Sequence, residues 1–273
     1  MPQLGLGLRA NVSGISLYDG DAAAYFTTAG ITDATAKSQI NAFVKGIKDL
    51  GLWSNMVCWP LRSAQNKGSG TTAYSLGGLG TYNGTLTNGP TWGTNGISFT
   101  DSSHEITLPD NSNLYNLRTG FVVYSPSDTS ANQRLIEFQD NVSGAGWYCL
   151  FRFYGGGTGE YGIKYYTTRS FVPSGNVPNT DTVNLGLYRS SAFTANNTSD
   201  NVFRDGSLLT NGARTGLSTI NPAGSRAARQ LFSQTSNMIG SFGLISPSTL
   251  TNSDISSIHS LYKTTLGIGL GLP

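Results

Sequence analysis

The sequence predicts a mainly β protein, a two-sheet antiparallel sandwich with an N-terminal helical brace and a short C-terminal helix. Three observations lead there. Short runs such as GISFT and HEITLP alternate apolar with polar residues, the period-2 pattern of half-buried strands, and Gly-containing turns separate them. Only 12% of residues are charged, about half the usual share of roughly 25%, and Ser, Thr, Asn and Gly take over the surface. That balance suits a turn-rich sandwich working outside cells. One passage departs from this texture: GITDATAKSQINAFVKGIKDLGLW, from Gly30 to Trp53, reads as a capped amphipathic helix.

The elements follow in chain order. DAAAYFTTA, Asp21 to Ala29, forms a short helix with Asp21 at its N-cap and Gly30 at its stop. The next helix starts after Thr32, whose side chain caps it. Ile40, Phe43, Val44, Ile47 and Leu50 fall on one apolar stripe, Lys37, Lys45 and Lys48 face elsewhere, and Gly51 ends the helix. Such a stripe needs a partner, and the β-region that follows is the nearest one. The stretch from Ser63 to Gly80 is loop-like. FRDGSLL sets Asp205-Gly206 between two short strands, the type I′ hairpin signal. Thr251 and Asp254 have capping-box spacing, Ile255, Ile258, Leu261 and Tyr262 form one face, and Gly267 stops that last helix. The chain thus divides into an N-terminal arm (1–14), a helical brace (15–60), the sandwich (61–265) and a C-terminal arm (266–273).

Several of these segments, taken in order, resemble a known family. NGTLTNGPTWGTNGISFTDSSHEITLPDN is similar to the opening strands of laminin-G-like, concanavalin-A-like jelly rolls. TGFVVYSP resembles their next long strand, NVFRDGSLL a late hairpin, and ISPSTLTNSDISSIHSLY a closing helix. The helical preface resembles one that precedes such jelly rolls in tailed-bacteriophage virion proteins. The resemblance runs from about Asp21 to Gly267. It implies a concanavalin-A-like jelly roll and a virion structural role, capsid-decorating or tail-associated, exerted through contacts with other virion proteins. The alternative it leaves is a carbohydrate-binding or receptor-binding module of a tail fibre or surface adhesin.

Charge and composition exclude other classes. Net charge is +2 and no two Lys or Arg are adjacent, so the dense basic footprint of a nucleic-acid binder is missing. No segment approaches the roughly 18 apolar residues of a membrane span. The opening MPQLGLGLRANVSG lacks the basic and apolar regions of a secretory signal. The expectation is assembly in a host cytoplasm, as a homo-oligomer or repeated subunit of a virion, with release by lysis. Cys58 and Cys149 form neither a disulfide framework nor a zinc site, and two buried reduced thiols are expected.

The search for chemistry predicts no enzyme, no cofactor and no metal. Glu160 stands alone in a hairpin, and Glu137 with Asp140 reads as surface or strand-end solvation rather than a glycosidase pair. Of the two histidines, His104 and His259, the second sits near the end of the last helix, where a dipole contact is sufficient reason. A binding surface is the stronger reading. GWYCLFRFYGGGTGEYGIKYY reads as a long hairpin in which Trp147, Cys149, Phe151 and Phe153 face the core. Tyr148, Leu150, Arg152 and Tyr154 then face outward. With the turn centred on Gly157, Glu160, Lys164 and Tyr166 join them. Tyr148, Arg152, Tyr154, Lys164 and Tyr166 are therefore the candidate contacts to a host glycan or to a partner protein, since both use aromatic and basic side chains. The two ends echo each other: Leu4, Leu6 and Leu8 in LGLGL, and Leu266, Ile268 and Leu270 in LGIGLGL, alternate with Gly as extended strands. Such strands either pair within the chain or dock on neighbouring subunits as assembly arms.

Overall fold

The computed structural model describes residues 17–115, 117–127, 133–140, 148–153, 161–165, 170–171, 186–196, 199–213, 226–233 and 237–273. The expected two-sheet antiparallel sandwich is present, with helices at both ends. Leu4, Leu6 and Leu8 lie outside the described residues.

One sheet is closed on its outer side by helices. Its strands are β1 (Val57–Pro60), β4 (Thr91–Gly93), β5 (Gly96–Phe99), β7 (Thr119–Pro126), β12 (Arg189–Ala195), β13 (Ser199–Arg204), β14 (Ser207–Ala213) and β16 (Met238–Ser246). They run in the order β14-β13-β12-β7-β16-β5-β4, with β1 also pairing to β16. Strands covered on both faces read as continuous apolar runs, and β7, buried at every residue, has the sequence TGFVVYSP. Its Val122 and Tyr124 enter the core between the sheets, and its Phe121 and Val123 point the other way, into the helical layer. That layer comprises α1 (Gly20–Ala29), α2 (Ala34–Asp49) and α4 (Asn252–Thr264); the four-residue α3 (Ser112–Tyr115) lies apart from it. Ile40, Phe43, Val44 and Ile47 of the predicted stripe are buried there, with Phe43 set edge-on to Phe242 of β16 at 5.5 Å. Leu50 is 37% exposed and drops out of the stripe, because it is already the C-cap residue.

The second sheet is the open one. It contains β2 (Thr72–Ala73), β3 (Gly84–Thr87), β6 (Glu105–Thr107), β8 (Gln133–Asp140), β9 (Tyr148–Phe153), β10 (Tyr161–Tyr165), β11 (Ser170–Phe171) and β15 (Arg226–Ser233). Their order is β11-β10-β9-β8-β15-β6-β3-β2. The inner face supplies Leu86, Ile106, Ile136, Phe138 and Leu231 to the inter-sheet core. Among the described residues, the apolar cluster under the helices includes no residue of this sheet.

Local signals in the sequence resolve mostly as expected. Asp205 and Gly206 both adopt positive φ (49° and 77°), joining Arg204 to Ser207 through the type I′ turn. Thr251 and Asp254 form the capping box in full. The first two helices, however, are capped by Asp19 and Asp33, not by Asp21 and Thr32. Each of these carboxylates accepts from a backbone N–H two or three residues on, which a charged acceptor does more strongly than a hydroxyl. The last helix ends at Thr264, before Gly267.

The C-terminal arm is not an extended strand. Positive φ at Gly269 (86°) and Gly271 (69°) folds it into successive turns, which glycine adopts without a Cβ penalty. Leu266, Leu270 and Leu272 are buried in the helical layer, and Ile268 remains 49% exposed. Arg62 Nη1 donates to the carbonyls of Leu266 and Ile268, both at 2.9 Å, and Gln65 Nε2 donates to that of Leu266 at 2.8 Å. Leu266 and Leu270 are thus engaged within the chain.

Candidate functional site

On the open sheet, residues alternate between the core and the outer surface. Leu86 and Ile106 point inward, so Thr85, Thr87, Glu105 and Thr107 point outward. In β15 Phe232 takes a positive φ (53°), and both Leu231 and Phe232 enter the core, so that Gln230 and Ser233 fall on the outer side. Strand β8 shifts register against β9 between Arg134 and Ile136, and Arg134 and Glu137 share that outer face. Four strands distant in sequence therefore contribute to one polar belt.

The belt holds two hydrogen-bonded groups side by side. Thr87 and Thr107 share a hydroxyl contact of 2.9 Å, and Thr107 Oγ1 donates to Glu105 Oε1 at 2.9 Å. Gln230 Nε2 donates to the other oxygen of Glu105. Glu137 sits deeper, 2% exposed, with Arg134 Nη1 at 2.7 and 2.8 Å from its two oxygens and Ser233 Oγ donating at 2.8 Å. A buried carboxylate is tolerated only when paired and hydrogen-bonded, and these contacts meet that requirement. Glu137 is consequently not the surface or strand-end group that its sequence context suggests: it lies mid-strand, held by two neighbours. Networks of this kind fix side chains before any ligand arrives. Their remaining lone pairs and N–H groups can address a hydroxyl-rich molecule.

The predicted tyrosine-bearing hairpin joins the same sheet. Phe153 lies opposite Tyr161 and Cys149 opposite Tyr165, a register whose midpoint is Gly157, as expected. Tyr148 is opposite Gln139, Arg152 opposite Arg134, and Lys164 opposite Leu150, itself opposite Glu137. Tyr148, Arg152 and Lys164 therefore hold backbone positions beside the belt. Tyr154, Tyr166 and Glu160 lie outside the described residues. Sequence reasoning missed Thr85, Thr87, Glu105, Thr107, Gln230, Arg134 and Ser233. Alternation in EIT and GTLT marks the outward threonines, but nothing local to RLIEFQD or RAARQLFS says that those two strands are neighbours.

A second polar cluster lies between the closed sheet and α4. His259, 6% exposed, contacts Ser190 Oγ through Nδ1 at 2.8 Å and the Pro273 carbonyl through Nε2 at 3.2 Å. This replaces the simple helix-end contact expected for His259. The nearby carboxylate of Asp205 accepts from Ser190 N–H and from Arg189, so its oxygens are engaged away from the imidazole. The arrangement ties β12, the last helix and the C-terminal turns together. Cys58 is buried and unbridged, as expected, and burial pushes its thiol pKa far up. Among the described residues no group of His, Cys, Asp and Glu is placed to hold a metal ion.

No protein-family description matches the chain, and no curated protein matches it in sequence. Solved structures do share its fold. A Trypanosoma rangeli sialidase mutant with trans-sialidase activity superposes with TM-score 0.56 at 13% identity, over 84% of this chain and 39% of that one. The T. rangeli sialidase in complex with sialic acid gives 0.53 at 14% identity, over 85% and 39%. The CBM40 of a Ruminococcus gnavus IT-sialidase gives 0.46 at 11% identity, over 60% of this chain and 95% of that one. The same CBM40 is also known bound to α2,6 sialyllactose. The shared feature is a lectin-like β-sandwich. At these identities the likeness concerns the fold alone, and this chain spans about two fifths of the sialidases.

Proposed function

We propose that the chain is a non-catalytic carbohydrate-binding module whose ligand lies on the outer face of the open sheet. The observation that carries this reading is the pre-fixed polar belt from Thr87 to Arg134, on a face that no described helix covers. Sugar recognition needs oriented donors and acceptors on a rigid support, and a hydrogen-bonded belt on a sheet provides both. The candidate contacts Tyr148, Arg152 and Lys164 would extend the same surface, and the CBM40 ligand sialyllactose is a natural first probe. A hydrolytic role is disfavoured because Glu137 and Glu105 each have both oxygens engaged by neighbours, leaving neither free as nucleophile or acid. The test is calorimetric titration of the full chain with sialyllactose and neutral oligosaccharides, beside Glu137→Ala. Saturable binding that the substitution weakens, without release of reducing sugar, supports the reading. Equal binding by both chains would move the ligand off the belt.

A second reading, a structural subunit of a tailed-phage virion acting through protein contacts, is favoured by the preface. Its α1 and α2 precede the sandwich, as the resemblance implies, and pack on it, as the apolar stripe of α2 predicts. Gold-labelled antibody on particles from a source lysate tests it. Label on head or tail would support display on a virion, where repetition adds weak contacts by avidity, and unlabelled particles would remove it.

A further inference from the structure

We infer that the bound glycan is an extended chain lying across the strands, running from the β2 side toward β8, rather than a terminal sugar held in a closed pocket. This rests on the carbohydrate-binding reading above. The pairing registers align one transverse row: Thr72 faces Thr85, Thr85 faces Thr107, Thr107 faces Gln230, and Gln230 faces Glu137. Five consecutive strands thus present a polar side chain each, about 4.8 Å apart, a step close to one pyranose residue along a chain. From Thr85 onward exposure falls: Thr85 is open to solvent, Thr107 and Gln230 are intermediate, and Glu137 is buried under its own hydrogen-bond partners.

A second row runs beside the first, two residues along in β3 and β6 and three along in β15 and β8, in which Thr87 faces Glu105 and Ser233 faces Arg134. In β3 and β6 the two rows lie about 7 Å apart, a strip the width of one sugar chain. A terminal-sugar site concentrates its polar groups around one ring and walls it in. Here they repeat at a constant step, offering successive units the same kind of contact.

Titration of the full chain with laminari-, cello- and chito-oligosaccharides of one to six units, with 3′-sialyllactose as a short acidic probe, decides the matter. The expected result is a rise of tenfold or more in affinity between the disaccharide and the tetrasaccharide of the series that binds. Thr85→Val, at the shallow end, should weaken the hexasaccharide about three- to tenfold, the worth of one hydrogen bond, and leave the disaccharide unchanged. Sialyllactose or a disaccharide binding as tightly as the hexasaccharide, or no effect of Thr85→Val, overturns the chain-like ligand while leaving carbohydrate binding in place. No saturable binding by any probe removes both.

Discussion

If the helical brace is part of the sandwich rather than an attached domain, damage to α2 must be felt by β7 and β16. Phe43→Ala is the perturbation that tests this. Phe43 is fully buried, its ring edge-on to Phe242 at 5.5 Å, and Phe242 in turn packs on Tyr262 at 4.8 Å and on Phe121 at 6.1 Å. Truncating a buried Phe costs about 3–5 kcal/mol, of which the aromatic pairing is roughly 0.5–1.5 kcal/mol. Set against the usual total of about 5–15 kcal/mol, that is a large fraction. With a urea dependence near 3 kcal/mol per molar, the midpoint should fall by about 1–1.7 M. Hydrogen exchange read by mass spectrometry across a urea series is the assay, comparing amides of α2 with those of β7 and β16. Joint loss of protection at the lowered midpoint is the expected outcome. Loss confined to α2, with β7 and β16 still protected at the wild-type midpoint, would refute the reasoning and make the brace an independent unit.

Three further outcomes follow from the same packing. In a Cys149→Ser chain, Cys58 should resist iodoacetamide at pH 8 until urea unfolds the protein, because burial pushes its pKa up and keeps the thiolate scarce; labelling of the folded chain would contradict this. Burial of the Asp19 carboxyl tends to raise its pKa, but the Lys48 ammonium at 2.7 Å and the backbone N–H groups of Asp21 and Ala22 outweigh that and hold it below the usual carboxylate range. Its contribution is therefore present above about pH 4 and lost as pH falls through the lowered value, so thermal melts should show wild type and Asp19→Asn converging on acidification. Arg62→Ala removes the donor to the Leu266 and Ile268 carbonyls and should cost about 1.5–3 kcal/mol, with faster amide exchange in 266–273 first; unchanged exchange there would mean that the buried leucines alone hold the segment.

Much of the sandwich is legible because its strands carry local signals. GISF and EIT alternate, DG demands the type I′ turn, and the Gly-rich stretch after Phe153 centres a hairpin whose register follows from that centre alone. The helical stripe is legible for the same reason, since Phe43 and Ile47 repeat at the helical period. The terminal arm is not. LGIGLGL alternates as a strand does, yet Gly269 and Gly271 turn the backbone, and what holds the turns is Arg62, some two hundred residues away in sequence. Glu137 fails in the same way. Its environment is made by Ser233, on a strand almost a hundred residues on, and by Arg134, which reaches it across a bulge.

The distribution of apolar residues among strands also says where a ligand can go. A sandwich has two outer faces, and a strand whose outer face meets helices has no use for polar residues there. TGFVVYSP and MIGSFGLIS, the two central strands of the closed sheet, put Phe121, Val123, Phe242 and Leu244 on their outer side, and these four fill the helical layer. GTLT and EIT put threonines and a glutamate on theirs. An amphipathic preface together with two unusually apolar strands therefore marks one sheet as occupied, and the alternating strands mark the other as open. The preface thus bears on the proposed recognition by exclusion: by consuming one side of the sandwich, it leaves the sheet that holds Glu137 as the candidate face.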